Sequence, residues 1–398
     1  MKINRLTVAL LSNTSWSIYN FRAGLIKQLL RSGIRVVVIA PEDAYSDRLR
    51  EWGCSFEPVQ LDQYGTNPLQ DLQYFRQLAR IFGKYPINFI ITYTIKPNIY
   101  GHMAARLHGI PGLAVVTGLG HLFTAVSWKT VVARLLYRFA LRPRRKVWFL
   151  NQEDRQLFLD YKIVRAAQTD YLPSEGIDDQ VFAPSEKPTE PTPFTFLFAG
   201  RLMDEKGVRD FAAAARLVKS QHPQVQFEIL GFIESDFPHA VSRQELQEWE
   251  NEGILRYLGE TDNMAQHLNR VQCVVLPSYY REGVPRILLE AASMELPVIS
   301  TDNVGCRDIA RHNYNGYLCA KRDVRGLAHC MEQMLQLPPE KRQAMGRRGR
   351  NLVLHNFREA LVVNRYLAVL EQYAFFAPRH LEKVIMTDVQ LEIKQHLL

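Results

Sequence analysis

The sequence predicts an α/β protein of two tandem Rossmann-like domains, each a doubly wound parallel sheet, facing a cleft. Three observations carry this prediction. Short apolar runs alternate with helix-period stretches through the first 180 or so residues, the order of parallel βαβ units. A proline-rich break, "APSEKPTEPTP", then interrupts the pattern at 183–193 with four prolines and two glutamates. After it the strand–helix alternation starts again.

In order, "LTVALLS" (6–12) reads as the first strand and Phe21–Ser32 as a helix. "RVVVIA" (35–40) is the second strand, and a weak run at 55–60 lies between helical stretches near 43–52 and 68–83. "INFIITY" (87–93), "LAVVTG" (113–118) and "KVWFLN" (146–151) complete the first half. Beyond the break, "FTFLFAG" (194–200), "VQFEILG" (225–231), "ILRYLG" (254–259), "CVVLPS" (273–278) and "PVIST" (297–301) are strands, with a helix at 207–220. The expected organisation is a first domain at 1–182, a linker at 183–193, a second domain at 194–357 and a C-terminal segment at 358–398. Ligands of such sheets sit at the carboxyl ends of the strands.

Composition narrows the class. The 398 residues are 47% hydrophobic and 23% charged, normal for a soluble enzyme. No run approaches the roughly 20 apolar residues of a membrane span. The amino terminus reads as a first strand rather than a signal peptide. Five scattered cysteines, without a C-x-x-C, suggest reduced thiols in a cytoplasm, with no metal site or disulfide framework. Residues 1–190 carry 24 Lys and Arg against 16 Asp and Glu, whereas the rest carry 25 of each. No Asp or Glu occurs from Leu72 to Gln152, a stretch with 12 basic residues. That one-sided charge implies an anionic partner.

The chemistry concentrates in two strand-end loops. "REGVPRILLEAASMELPVIS" (281–300) places Glu282 in a loop before a helix that opens near Pro285, and Glu290 in its second turn. The backbone of Gly283, Val284 and the residues around Pro285 lies at the positive end of the helix, where an anion rests well. "FAGRLMDEKG" places Gly200, Arg201, Lys206 and Gly207 at the end of another strand. A planar guanidinium and a point-charge ammonium suit a diphosphate, and flanking carboxylates suit hydroxyls. Together they describe a nucleotide-sugar.

"AGRLMDEKG" followed by "PSYYREGVPRILLEAASMELPVISTDNVGCRDI" resembles the family 4 glycosyltransferases of GT-B fold, whose E-x7-E motif matches Glu282 and Glu290. The resemblance extends to about Phe376. It implies that 1–182 is the acceptor-binding domain and 194–357 the nucleotide-sugar-binding domain, and that 358–398 supplies a helix crossing back to the first domain, plus a tail. "SWSIYNFRAGLIKQLL" and "YTIKPNIYGHMAA" are similar to the branch that builds bacterial surface polysaccharides and lipid-linked oligosaccharides. One departure is Glu295, where the family usually has glycine; a changed turn is expected there. The resemblance implies that Arg201 and Lys206 neutralise the donor diphosphate, Glu290 binds the ribose hydroxyls and Glu282 the transferred sugar. It also implies retention of anomeric configuration, no metal, and no cofactor beyond the nucleotide-sugar co-substrate. No D-x-D motif is present.

Further candidates lie at other strand ends. His121 is expected to contact the sugar or the developing charge, and Gly118 and Gly120 to admit a ligand to the backbone. Gly231, Tyr19, Asn20, Lys96 and Asn98 are candidate substrate contacts. The stretch 125–149 joins Val131, Val132, Leu135, Leu136 and Phe139 to Arg138, Arg142, Arg144, Arg145 and Lys146, a basic amphipathic pattern suited to a membrane interface or to packing on the sheet. The expected enzyme is peripheral on the cytoplasmic membrane face. It would use a UDP-hexose or UDP-N-acetylhexosamine donor and a polyprenyl-diphosphate-linked acceptor. Alternatives are a GDP-sugar donor, a soluble acceptor, or a nucleic-acid-binding protein using the basic span at 72–152. The last lacks any helix-turn-helix or stacking motif, so no nucleic acid is expected.

Overall fold

The computed structural model describes residues 6–63, 65–119, 128–141, 145–185, 193–233, 239–280 and 283–376. Glu282, Gly120, His121, Arg142 and Arg144 lie outside the described residues. The chain forms two units, one of residues 1–176 with the chain from Glu359 onward, the other Ile177–Arg358. Ile177 and Phe182, which precede the proline-rich break, are buried in the core of the second unit.

The first unit holds a seven-stranded parallel sheet: β1 (Thr7–Leu11), β2 (Arg35–Ala40), β3 (Ser55–Pro58), β4 (Phe89–Tyr93), β5 (Gly112–Val116), β6 (Lys146–Phe149) and β7 (Thr169–Tyr171). Their order is β3-β2-β1-β4-β5-β6-β7, so the winding reverses between β1 and β4. Both sheet faces are covered, which is why these strands are nearly continuous apolar runs. Val8 and Leu10 face one core cluster. Ala9 and Leu11 face another, with Tyr74, Leu78 and Ile81 of helix Pro68–Lys84.

The first of those cores is closed by the far end of the chain. Val362, Val363, Tyr366 and Leu370 of helix Glu359–Phe376 pack among Leu25, Leu29, Phe89 and Trp148. Polar contacts hold the helix in place. The Glu359 carboxylate accepts from the Gly24 N–H at 3.0 Å, at the start of helix Ala23–Arg31, where the free amides favour an anion. Arg365 donates to the Tyr171 carbonyl at 2.6 Å and to Asp170 at 2.7 Å.

The second unit holds a six-stranded parallel sheet: β8 (Thr195–Ala199), β9 (Gln226–Leu230), β10 (Arg256–Tyr257), β11 (Cys273–Leu276), β12 (Val298–Thr301) and β13 (Gly316–Cys319). The order β10-β9-β8-β11-β12-β13 reverses between β8 and β11. β7 and β13 have no counterpart among the sequence-predicted strands. The predicted Phe21–Ser32 helix is instead two, Ser15–Phe21 and Ala23–Arg31, breaking at Arg22. No described helix is long and apolar enough to cross a membrane.

Candidate functional site

A doubly wound sheet opens a crevice where its winding reverses, because the two flanking connections leave in opposite directions. In the second unit that point lies between β8 and β11, and the two loops leaving it carry "GRLMDEKG" and "PSYYREG". Gly207 makes their close approach possible. Its φ of +79° is left-handed, and a Cβ there would sit 2.2 Å from the Pro277 carbonyl oxygen. The Glu205 carbonyl accepts from the Tyr279 and Tyr280 N–H groups, both at 2.9 Å. From the other side, Asn303 donates to the Ser278 and Tyr280 carbonyls at 3.2 and 2.8 Å, and the Thr301 hydroxyl donates to Ser278.

This framework brings Arg201 and Lys206 together. The Arg201 guanidinium lies 5.7 Å and the Lys206 ammonium 5.5 Å from the centroid of one ring, that of Tyr280. Both distances are within cation–π range. Lys206 is buried, while the space where a Cβ would stand on Gly200 is open. The sequence placed the two cations in one loop; Tyr280, their common support, was not singled out. Its signal was the Tyr-Tyr pair directly after the strand. The neighbouring Tyr279 hydroxyl donates to Asp204 at 2.5 Å, and burial, followed by this bond, pushes its pKa up. Gly231 plays a packing part: a Cβ would lie 1.8 Å from the Gly200 carbonyl oxygen, and its own carbonyl accepts from the Tyr257 hydroxyl at 2.8 Å.

Pro285 takes the N-cap position of helix Arg286–Ser293, with φ −61° and ψ 126°, so the helix starts one residue later than expected. Gly283 and Pro285 are buried and Val284 is half-buried beside it. Glu290 lies in the second turn, enclosed, and accepts from Arg286 Nε at 2.8 Å. Burial pushes its pKa above the ordinary 4.5, and the Arg286 charge opposes that rise. A buried carboxylate with one cationic partner has remaining lone pairs to offer hydroxyl donors.

The first unit redistributes several expected contacts. Asn98 is fully buried, accepting from the Thr92 hydroxyl at 2.6 Å and donating to the Val115 carbonyl at 3.0 Å, so its amide holds β4 to β5. Lys96 pairs with Asp71 at 2.7 Å, and Asp71 also accepts from the Tyr100 hydroxyl. Tyr19 stacks on Trp52 at 4.7 Å with Arg48 over its ring, and Asn20 donates to the Trp16 carbonyl within its own helix. Gly118 lies just past β5, half-buried. Sequence reasoning missed the buried Arg22, whose guanidinium lies 3.8 Å from the Tyr93 ring centroid and pairs with Glu175 at 2.6 Å. It also missed Thr94, a β-branched residue at φ +67° at the reversal between β1 and β4.

Of the basic candidates, Arg138 and Lys146 are exposed. Arg145 turns inward, donating to the Ile110 carbonyl at 2.5 Å. Burial, with Arg106 nearby, lowers its pKa to about 10.

Two Rossmann-like parallel-sheet units are the architecture of the GT-B glycosyltransferases. The chain belongs to the family 4 glycosyltransferases: a glycosyl transferase 4-like domain matches residues 20–175, and glycosyl transferases group 1 matches residues 180–352. A Campylobacter jejuni relative, N,N'-diacetylbacillosaminyl-diphospho-undecaprenol alpha-1,3-N-acetylgalactosaminyltransferase, is 27% identical over 83% of this chain and 89% of its own. An Escherichia coli relative, UDP-Gal:alpha-D-GlcNAc-diphosphoundecaprenol alpha-1,3-galactosyltransferase, is 25% identical over 73% of this chain and 76% of its own. Among solved structures, a glycosyltransferase from Rickettsia africae superposes with a TM-score of 0.77 at 17% identity, covering 93% of this chain and 99% of its own. Anabaena Alr3699/HepE, solved in complex with UDP-glucose, gives 0.73 at 17% identity, covering 92% and 100%.

Proposed function

We propose that this glycosyltransferase moves a hexose or N-acetylhexosamine from a UDP donor to a polyprenyl-diphosphate-linked saccharide, with retention, in surface polysaccharide or glycan assembly at the inner face of the cytoplasmic membrane. The observation that carries the reading is the pair Arg201 and Lys206 over the Tyr280 ring at the β8/β11 reversal. Two fixed cations suit a diphosphate that gains charge as the bond to the anomeric carbon breaks, and they need no reorganisation when it does. The new bond forms to the acceptor oxygen on the same face. The acceptor proton passes to the departing phosphate oxygen, so no carboxylate base is required. With the diphosphate charge met by side chains, no divalent cation is required either. Glu290 takes the ribose hydroxyls, and Glu282 the transferred sugar. The relatives' undecaprenyl-diphosphate acceptors and the UDP-glucose bound by a structural neighbour support the choice of acceptor and base.

The test is release of nucleoside diphosphate from a panel of UDP- and GDP-sugars, with and without a polyprenyl-diphosphate-linked monosaccharide, and with the product anomer read by NMR. UDP-sugar turnover dependent on that acceptor, undiminished by EDTA and giving an α-linked product, is expected. A GDP-sugar preference, an inverted product or abolition by EDTA overturns the corresponding part.

A further inference from the structure

Helix Trp128–Ala140 packs on its sheet the wrong way round for an ordinary surface helix. Such a helix normally turns its large apolar residues inward and leaves a polar stripe outside. Here the buried positions are Thr130, Ala133, Tyr137 and Ala140. Small side chains at two of them allow close approach, and the Tyr137 ring meets Phe158 edge-on at 5.1 Å. The large residues are outside: Trp128 is 69% exposed, Leu135 62%, Val131 47%, and Val132 and Phe139 both 44%. At about 100° per residue those five positions fall in one stripe about 100° wide, opposite the buried face. A contiguous apolar stripe of this kind on a folded surface marks an interaction site.

Charge identifies the occupant. Lys129 and Arg138 are exposed on the two flanks of the stripe and have no ion pair among the described residues. Arg106 reaches over the Phe139 ring at 5.1 Å. The helix has no carboxylate, and among the described residues Asp71 and Glu57, which pair with other cations of this span, lie against Lys96 and Lys84 elsewhere on the unit. A large apolar stripe bordered by exposed cations, unpaired among the described residues, matches an anionic lipid surface, where acyl chains lie beneath a layer of phosphates.

We propose that the outward stripe of this helix inserts into an anionic bilayer, with Lys129 and Arg138 at the level of the lipid phosphates. Insertion, rather than surface charge alone, then holds the enzyme to the membrane, and the basic cluster ending in Lys146 is secondary. The inference rests on the lipid-linked acceptor proposed above, since only an acceptor held in the bilayer rewards docking there.

The experiment uses the full chain and vesicles of phosphatidylglycerol and phosphatidylethanolamine. Trp128 lies in the stripe, so acyl-brominated lipid should quench a component of the emission that disappears in Trp128→Phe. Leu135→Glu, at an exposed position that leaves the buried face intact, should lower vesicle binding about tenfold or more. High salt should weaken wild-type binding without abolishing it. Leu135→Glu should retain transfer to a short-chain, water-soluble prenyl-diphosphate acceptor while losing transfer to one embedded in vesicles. Absence of quenching, complete release by salt, or wild-type vesicle binding by Leu135→Glu overturns insertion. A dimer in sedimentation equilibrium that Leu135→Glu dissociates overturns it in favour of contact between two copies. Vesicle binding by an enzyme that uses neither acceptor would instead refute the proposed acceptor and leave insertion standing.

Discussion

Replacing Glu295 by glycine should stabilise the second unit. Glu295 follows helix Arg286–Ser293, which carries Glu290, and has φ +58°. The turn there is a Schellman cap. The Leu296 N–H donates to the Ala291 carbonyl at 2.9 Å, and the Glu295 N–H donates to Ala292 at 3.2 Å. This geometry needs a left-handed residue, which costs an L side chain about 1–2 kcal/mol. The turn has no freedom to relax, because the Glu295 carbonyl lies against Gly346, where a Cβ would come within 2.0 Å of it. The Glu295 carboxylate forms no hydrogen bond or ion pair among the described residues that would offset the strain. Glycine gives back part of the gain through its looser unfolded chain, about 0.5–1 kcal/mol. A net stabilisation of about 0.5–1 kcal/mol remains, or roughly 1–4 °C for a unit of this size. Differential scanning calorimetry of wild type, Glu295→Gly and Glu295→Ala checks it, with the alanine variant near wild type because it keeps the strain. If glycine lowers the transition, or alanine raises it equally, the left-handed cap is not the source of the cost.

Other perturbations test the donor site. Arg201→Ala and Lys206→Ala should each lower kcat by about 10²-fold or more. Tyr280→Leu keeps both charges but removes their shared support, and should lower kcat/KM by about tenfold; unchanged steady-state kinetics would mean that the ring does not position them. Gly207→Ala should cost at least about 2 kcal/mol in denaturant titration, because both its left-handed φ and the Pro277 carbonyl resist a methyl group. Glu290→Gln should weaken UDP binding in calorimetry. It should also shift stability with pH. Burial raises the Glu290 pKa, so its contribution to stability is present in acid and fades as pH rises through that value. The glutamine variant should therefore gain on wild type as pH rises above the ordinary carboxylate value of 4.5; a difference that ran the other way would show that Arg286 more than offsets the burial.

The sequence by itself determined the tandem parallel sheets, because strands buried on both faces must be apolar along their length, as "RVVVIA" and "CVVL" are. It also determined the cationic loop and the glutamate-bearing helix, since glycine, proline and charge at strand ends are local signals. β7 and β13 escaped because three or four residues such as "TDY" and "GYLC" are too short for a period to emerge. Tertiary structure alone decided which cations are committed. Lys84 finds Glu57 and Lys96 finds Asp71 across the fold, so a span without acids is not a span without partners. It decided that Asn98 is internal, because burial is a property of the neighbours. It brought Arg201 and Lys206 to Tyr280 from a strand more than 70 residues away in the chain, an adjacency created by the β8/β11 reversal. And it turned the large residues of helix Trp128–Ala140 outward. Both faces of that helix are apolar in sequence, and only the space available over the sheet selects the one with alanines.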